Sequence, residues 1–277
     1  MGITGGSTVA LALLDTAEGL RLHSQFASGV NLRCADHLVY VSPEPKGGAC
    51  ALQVDAGDVE LLRTCDEWRW TGQALVGRHR NQVVEIDPAP VSYAVEPPVL
   101  PRLGEDPDRL ARARATVGAD SWFDTGIGRE VGLPRLRAAI RCLATTSSDA
   151  PAQVRSVVGM GIGLTPSADD ALVGALCVLA AAGVPCTETA QEVHAWLRTA
   201  GATTDVSASY LRLAFEGAFS VPLNRTVACL AEDVPDTWLT DAVRGLSALG
   251  ATSGMDAAVG VQLAWESLVP TRTAHRS

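Results

Sequence analysis

Residues 159–183 read GMGIGLTPSADDALVGALCVLAAAG. Three glycines within five positions lead into Thr-Pro-Ser, then two adjacent aspartates, then a long uncharged run. This pattern predicts a tight turn opening a buried, Ala-rich helix that stops at Gly183, where glycine takes the left-handed helix-end conformation without Cβ strain. Pro166 suits a helix start, and Ser167 with Asp170 has the Ser-x-x-Asp spacing of a capping box.

Outward from this helix the pattern stays helical back to about residue 109. DRLARARATVG (108–118) and LPRLRAAIRCLATT (133–146) carry apolar residues at three- and four-residue spacing. TAQEVHAWLRTAG (189–201) offers Thr189 as N-cap, Glu192 three residues on, and Gly201 as the stop. DVSASYLRLAFEG (205–217) and DTWLTDAVRGLSALG (236–250) end on Gly217 and Gly250. The first third reads differently. DHLVYVS (36–42), ACALQV (49–54), NQVVEID (81–87) and VSYAVE (91–96) are short β-branched or alternating runs separated by turn residues, as antiparallel strands would be. PEPKGG (43–48) reads as a hairpin loop, and the proline-dense PPVLPRLGEDPD (97–108) as a connecting segment. The expected fold class is α+β, with a β-rich N-terminal part (1–100) and a C-terminal multi-helix part (101–277) whose helices start on Gly-rich turns.

Composition narrows the function. The chain has 277 residues, 47% hydrophobic and 19% charged, as in a soluble globular protein. A formal charge of −9 argues against nucleic acid and against an anionic membrane surface. Lys46 is the single lysine and sits among turn residues, which argues against Schiff-base chemistry, and there is no Gly-Lys-Ser/Thr phosphate loop. The seven cysteines are scattered without a Cys-x-x-Cys pair, and the five histidines (23, 37, 79, 194 and 275) are equally dispersed. Buried thiols in a reducing compartment, and no zinc cluster, are the expectation. The apolar run Val9–Leu14 has no basic residues before it, and Ala171–Cys186 is too short and too rich in Ala and Gly for a membrane span, so a cytoplasmic location is expected.

The helix start has an echo. SADDALVG (167–174) returns as SGMDAAVG (253–260), both of the form Ser-x-x-Asp-Ala-x-Val-Gly. Two helices would begin alike, each with a Ser and an Asp at its tip and a glycine, Gly174 or Gly260, where another helix can approach closely. Packing of two similar helices and a shared site both fit this repeat. The charges pose a problem: free N–H groups at a Gly-rich helix start attract anions, yet Asp169, Asp170 and Asp256 would repel one. Three resolutions are open. The acids bind a hard cation such as Mg²⁺, which then holds the anion. One acid turns away as a cap. Or the ligand carries both an anionic end and an amide or ureido NH₂ end. A dinucleotide loop is only weakly signalled, because Leu164 stands where the third glycine of G-x-G-x-x-G belongs.

Two other segments carry polar groups. GATTDVSASYL (201–211) brings Thr203, Thr204 and Ser207 to a helix start, where they either cap the helix or orient a small ligand. RLHSQFASGVNL (21–32) contains His23, Ser24 and Asn31. A Ser and His adjacent in sequence point to opposite faces of a strand, so no catalytic dyad is expected.

Taken together, GMGIGLTPSADD, TTDVSASYL and LGATSGMDAAVG, with LHSQFASGVNL near the start, resemble the AllH-like family over roughly residues 20–265. That family is named for a subunit of oxamate carbamoyltransferase. The resemblance implies a part in interconverting oxalurate plus phosphate with oxamate plus carbamoyl phosphate, in purine and allantoin breakdown, together with two other kinds of carbamoyltransferase subunit. By position it implies ligand-binding roles for Gly159, Gly161, Gly163, Thr165, Ser167 and Asp170. Thr203, Thr204 and Ser207 join them from the second segment, and Ser253, Gly254 and Asp256 from the third. It implies no cofactor, with Mg²⁺ as the alternative, and it designates no catalytic residue. Ala168 stands where a glycine is common, and Ala251 where a histidine is expected. Substrates with a carboxylate and an NH₂ end suit the third resolution: N–H groups would take the anion while Asp170 and Asp256 accept from the NH₂. Two alternatives remain, a non-catalytic scaffold subunit and a Mg²⁺-dependent phosphate- or nucleotide-binding enzyme.

Overall fold

A computed structural model describes residues 6–65, 67–79, 82–88, 92–100, 102–199, 201–231 and 234–269. The fold is α+β, and the chain divides into two compact units: residues up to Glu96 together with Ala218–Val221, and Pro97–Gly217 together with Pro222 onward.

The first unit is built on β1 (Gly6–Ser7), α1 (Thr8–Thr16), β2 (Leu20–Phe26), β3 (Gly29–Cys34), β4 (His37–Ser42) and β5 (Ala51–Gln53). After these come α2 (Ala56–Leu62), β6 (Glu67–Trp70), β7 (Leu75–His79), β8 (Gln82–Ile86) and β9 (Ser92–Tyr93). Seven strands form one sheet in the order β5-β4-β3-β2-β6-β7-β8, while β1 pairs in parallel with β9. Strands β3 and β4 are buried along almost their whole length, whereas β6 alternates between exposed and covered positions. That alternation is the period of two of a sheet with one wet face. Trp68 and Gly77 pair directly, and a Cβ on Gly77 would lie 2.8 Å from the Trp68 ring, so the glycine makes room for the indole. Asn81 and Val91, ends of two expected strands, lie outside the described residues, as does His275.

The second unit holds α3 (Asp108–Val117), a 3₁₀ turn (Trp122–Asp124), a π turn (Gly128–Gly132), α4 (Leu133–Ala144) and α5 (Ala150–Val157). These are followed by α6 (Ser167–Ala181), α7 (Thr187–Leu197), α8 (Asp205–Phe215), α9 (Val221–Ala228), α10 (Asp236–Ser247) and α11 (Ser253–Leu268). α6 and α11 are apolar on nearly every side and buried, as central helices are. They pack on each other, with α4 against both, α8 against α6, and α10 against α11. Trp265 of α11 is fully buried, and its Nε1–H donates to Gly104 O at 2.7 Å. Among the described residues no helix is long and apolar enough to cross a membrane.

Several local expectations are corrected. β4 and β5 pair in parallel (Tyr40 with Ala51, Val41 with Leu52), so 43–48 is not a hairpin loop. Left-handed Lys46 and Gly47, with the Gly48 N–H bonded to Pro45 O, turn the chain back toward the start of β4. The helix expected at 189 begins at Thr187, with Cys186 as its N-cap; Thr189 is buried in its first turn. That helix ends at Leu197, short of Gly201. α6 has Pro166 as its N-cap and no side-chain cap, so Ser167 and Asp170 are not a capping box. They sit one position too far along, inside the first turn. A complete capping box instead forms at Ser121 and Asp124 on the 3₁₀ turn. Finally, β2 is bulged between Leu22 and Ser24, which brings His23 Nδ1 within 3.1 Å of Ser24 Oγ. The two side chains do meet, because the bulge breaks the strand alternation.

Candidate functional site at the crossing of two like helices

The two copies of Ser-x-x-Asp-Ala-x-Val-Gly open α6 and α11 and touch each other. A Cβ on Gly174 would lie 2.0 Å from Ala257 O, and one on Gly260 would lie 1.7 Å from Ala171 O. The eighth residue of each copy thus rests on the fifth residue of the other. The helices cross backbone to backbone about an approximate two-fold axis, and only glycine permits that approach. The crossing brings the two tips together. Thr165, just before α6, donates to Asp170 Oδ2 at 2.9 Å and lies 2.9 Å from Ser253 Oγ at the tip of α11. Ser253 also favours the charged form of Asp170, and Ser167 that of Asp256, so each acid neighbours the serine of the opposite copy.

The three aspartates have different surroundings. Asp169 is buried. It accepts from Gly159 N at 2.7 Å and from Ser207 Oγ at 2.6 Å, and Thr203 also donates to it. It ties the glycine turn to the start of α8. Asp256 is fully buried, and its Oδ1 accepts from Ser121 Oγ at 2.6 Å and Trp122 N at 2.9 Å. Its Oδ2, like Ser167 Oγ, has no hydrogen bond of good geometry. Asp170 is half-buried and remains reachable from outside.

Burial raises all three carboxyls above the usual range. Hydroxyls and N–H groups partly offset this at Asp169 and Asp256. At Asp170 burial acts first, the Asp256 and Asp169 carboxyls add to it, and the Ser253 and Thr165 hydroxyls oppose it; the carboxyl is pushed up to about 8. Desolvation favours the neutral acid. A carboxyl raised in this way is held toward its neutral form, which repels an anion less than a carboxylate does.

Beside Asp170 lies the glycine turn. Gly159, Gly161 and Gly163 all have positive φ (81°, 113° and 98°). A Cβ on Gly159 would lie 2.2 Å from Ala202 O, and one on Gly161 would lie 2.7 Å from the Ser167 backbone N. Three N–H groups of α6's first turn are occupied: Ala168 N donates to Met160 O, and Asp169 N and Asp170 N to Pro166 O. Those of residues 161–165 are not; among the described residues they donate to no protein acceptor. Residues 161–164 are exposed, with Ile162 at 61% and Leu164 at 50%. Successive unbonded N–H groups on a loop with left-handed turns form a concavity of positive potential suited to an anion.

The structure sorts the twelve expected site residues. Thr165, Asp170 and Ser253 lie together and half-exposed, beside Gly161 and Gly163. Thr203, Ser207 and Gly159 are engaged by Asp169. Thr204 caps α8, accepting from Ser207 N at 3.1 Å, and donates to Leu164 O, which holds the loop. Gly254 presses on Leu246 O of α10, where a Cβ would come within 1.9 Å. Ser167 and Asp256 are enclosed. The sequence reading missed Ser121 and Trp122, the donors to Asp256. Their signal was present in Ser121-x-x-Asp124. Among the described residues no group of three or more His, Cys, Asp or Glu side chains is placed to hold a metal.

An α+β chain whose helical unit is centred on two like, crossing helix tips is thus the class that fold and site define. The family model described as oxamate carbamoyltransferase subunit AllH matches residues 157–265. The match begins at the last residue of α5 and ends within α11, so it takes in the glycine turn, the Asp169 network and both helix tips. It bears out the resemblance to that family over residues 157–265, and extends neither to α3 and α4 nor to the sheet. No solved structure matches the chain.

Proposed function

We propose that the chain is a subunit of a carbamoyltransferase that holds a small anionic amide or ureido ligand, oxamate or oxalurate, or the phosphate that reacts with it, on the glycine turn. The observation that carries this reading is the run of unbonded N–H groups at residues 161–165, in a turn exposed over residues 161–164, beside a half-buried acid with its pKa raised to about 8. The N–H groups take the anionic oxygens. Neutral Asp170 donates to the same end of the ligand, and the Thr165 and Ser253 hydroxyls orient the amide or ureido end. The enclosed Asp256 serves instead to hold Ser121 and Trp122 beneath the site. Transfer of a carbamoyl group gains most from such positioning and from donors aimed at developing oxyanion charge.

The test is oxalurate phosphorolysis, read as carbamoyl phosphate, by the chain assembled with the two companion subunits. Asp170→Ala is expected to lower turnover about tenfold or more, the loss of one charge-assisted hydrogen bond worth about 1.5–3 kcal/mol, with melting unchanged. Asp170→Asn keeps a donor at every pH. The wild type should lose activity as pH rises through about 8, where Asp170 gives up its proton, and the Asn variant should not. Full activity of Asp170→Ala would make the chain a scaffold.

A further inference from the structure

The first unit holds a polar cluster that the reading above does not use. The β2–β3 register passes from Leu22–Leu32 to Ser24–Asn31, so His23 is the extra residue of a bulge. Bulges re-aim side chains and are over-represented beside active sites. This one sets His23 Nδ1 3.1 Å from Ser24 Oγ. From the facing strand, Asn31 Nδ2 donates to the same Oγ, also at 3.1 Å. With Asn31 donating to it, Ser24 keeps its own O–H to give, and His23 Nδ1 is the acceptor in reach. The imidazole then carries its proton on Nε2. His23 and Ser24 are half-buried and reachable, whereas Asn31 is 4% exposed. Among the described residues β6 pairs with β2 at Leu20 and Arg21 alone, so no strand covers the outer edge of β2 at the bulge.

Two further observations suit a reacting carbonyl compound. Asn31 Nδ2 has two N–H groups and Ser24 Oγ takes one, which leaves the other for an oxygen bound beside Oγ. Phe26 shares the face of Ser24 two residues along, and Tyr40 on β4 stands opposite Asn31. Their half-buried rings meet edge to face, with centroids 6.5 Å apart, and offer an apolar bed next to the hydroxyl.

We propose that Ser24 is a nucleophile toward small activated carboxylic esters, with His23 as its base and Asn31 as the donor to the carbonyl oxygen. Ser24 Oγ bonds to the ester carbonyl carbon while its proton passes to His23 Nδ1. The second Asn31 N–H donates to the oxygen on which charge develops. The bond from that carbon to the alcohol oxygen then breaks, and the alcohol leaves with the proton from Nδ1. Water attacks the acyl-serine, gives a proton to Nδ1, and releases the carboxylic acid as Ser24 recovers its hydrogen. A separation of 3.1 Å is within the reach that such a proton transfer requires. The inference is independent of the ligand proposed at the helix crossing.

The test uses the full chain and two probes. Release of p-nitrophenolate from p-nitrophenyl acetate reads turnover, and a fluorophosphonate, which forms a Ser–O–P bond and expels fluoride, marks the reacting serine for peptide mapping. Wild type is expected to take the label at Ser24 and to hydrolyse the ester. Ser24→Ala sets the background from the chain's other side chains. His23→Gln keeps Ser24 but removes the base, so it should be labelled at Ser24 about a hundredfold or more slowly. Neither side chain is fully buried, so both variants should melt as wild type does. Labelling of Ser24 at the wild-type rate in His23→Gln would overturn the proposal and leave Ser24 an exposed hydroxyl of the bulge. So would ester hydrolysis by Ser24→Ala equal to that of wild type, or a label that maps to serines other than Ser24.

Discussion

Gly260→Ala is expected to lower stability by about 3 kcal/mol or more, and Gly174→Ala by a similar amount. The added methyl would sit 1.7 Å from Ala171 O in the first case and 2.0 Å from Ala257 O in the second. Both obstacles are backbone atoms of a facing helix, so no rotamer change relieves them. α6 and α11 must separate, and every buried contact along the crossing loosens with them. At about 2–4 °C per kcal/mol the melting midpoint should fall by roughly 6–12 °C. Gly245→Ala is the matched control. It lies in α10 with nothing within 4 Å of its added Cβ, and it has an ordinary φ. There the substitution should stabilise by about 0.5–1 kcal/mol, the helix preference for alanine over glycine. If all three variants melt alike, the helices do not cross at these glycines.

The second large effect belongs to Asp169. Asp169→Ala removes the acceptor of Gly159 N, Thr203 Oγ1 and Ser207 Oγ together. It leaves those donors without partners, at about 1–3 kcal/mol for each one that stays buried, so a total of about 3 kcal/mol is expected. The loss should also reach the glycine turn, since Asp169 holds Gly159 against the start of α8. Amide exchange checks both parts: residues 159–165 should exchange faster in the variant before the helices themselves open. A variant as stable as wild type, with unchanged exchange in the turn, would show that the turn is held by other means.

Much of the helical unit was legible in sequence. The repeated Ser-x-x-Asp-Ala-x-Val-Gly disclosed two like helices, and its glycines disclosed their close approach, because a small residue deep in a buried helix has a packing reason to be there. Gly118, Gly183, Gly217 and Gly250 mark chain reversals where the sequence placed helix ends, each with positive φ. What local pattern cannot carry is long-range pairing. β5 returns parallel to β4 because of two left-handed residues in a short loop, and alternation in either strand looks the same whichever way the partner runs. Capping was misread at Ser167 because Pro166 had already taken the cap position, which shifts Ser and Asp into the first turn. At the site, the sequence posed the conflict between a glycine turn and adjacent acids without resolving it. What sequence could not supply is the burial of each acid: Asp169 is engaged by its own neighbours, Asp256 is enclosed by Ser121 and Trp122 from a segment more than a hundred residues away, and burial pushes the Asp170 carboxyl up to about 8.

That last point is the most directly measurable. Carboxyl carbons of the chain labelled at aspartate, titrated by NMR with Asp170→Asn used to assign the resonance, report the Asp170 proton itself. A midpoint near 8 is expected in the free chain. It should move higher when oxamate or phosphate binds, because an anion on the glycine turn favours the neutral acid beside it. A midpoint in the ordinary aspartate range, about 4, that neither ligand moves would contradict the account. Asp170 would then be an ordinary surface charge, and the helix crossing a packing feature alone.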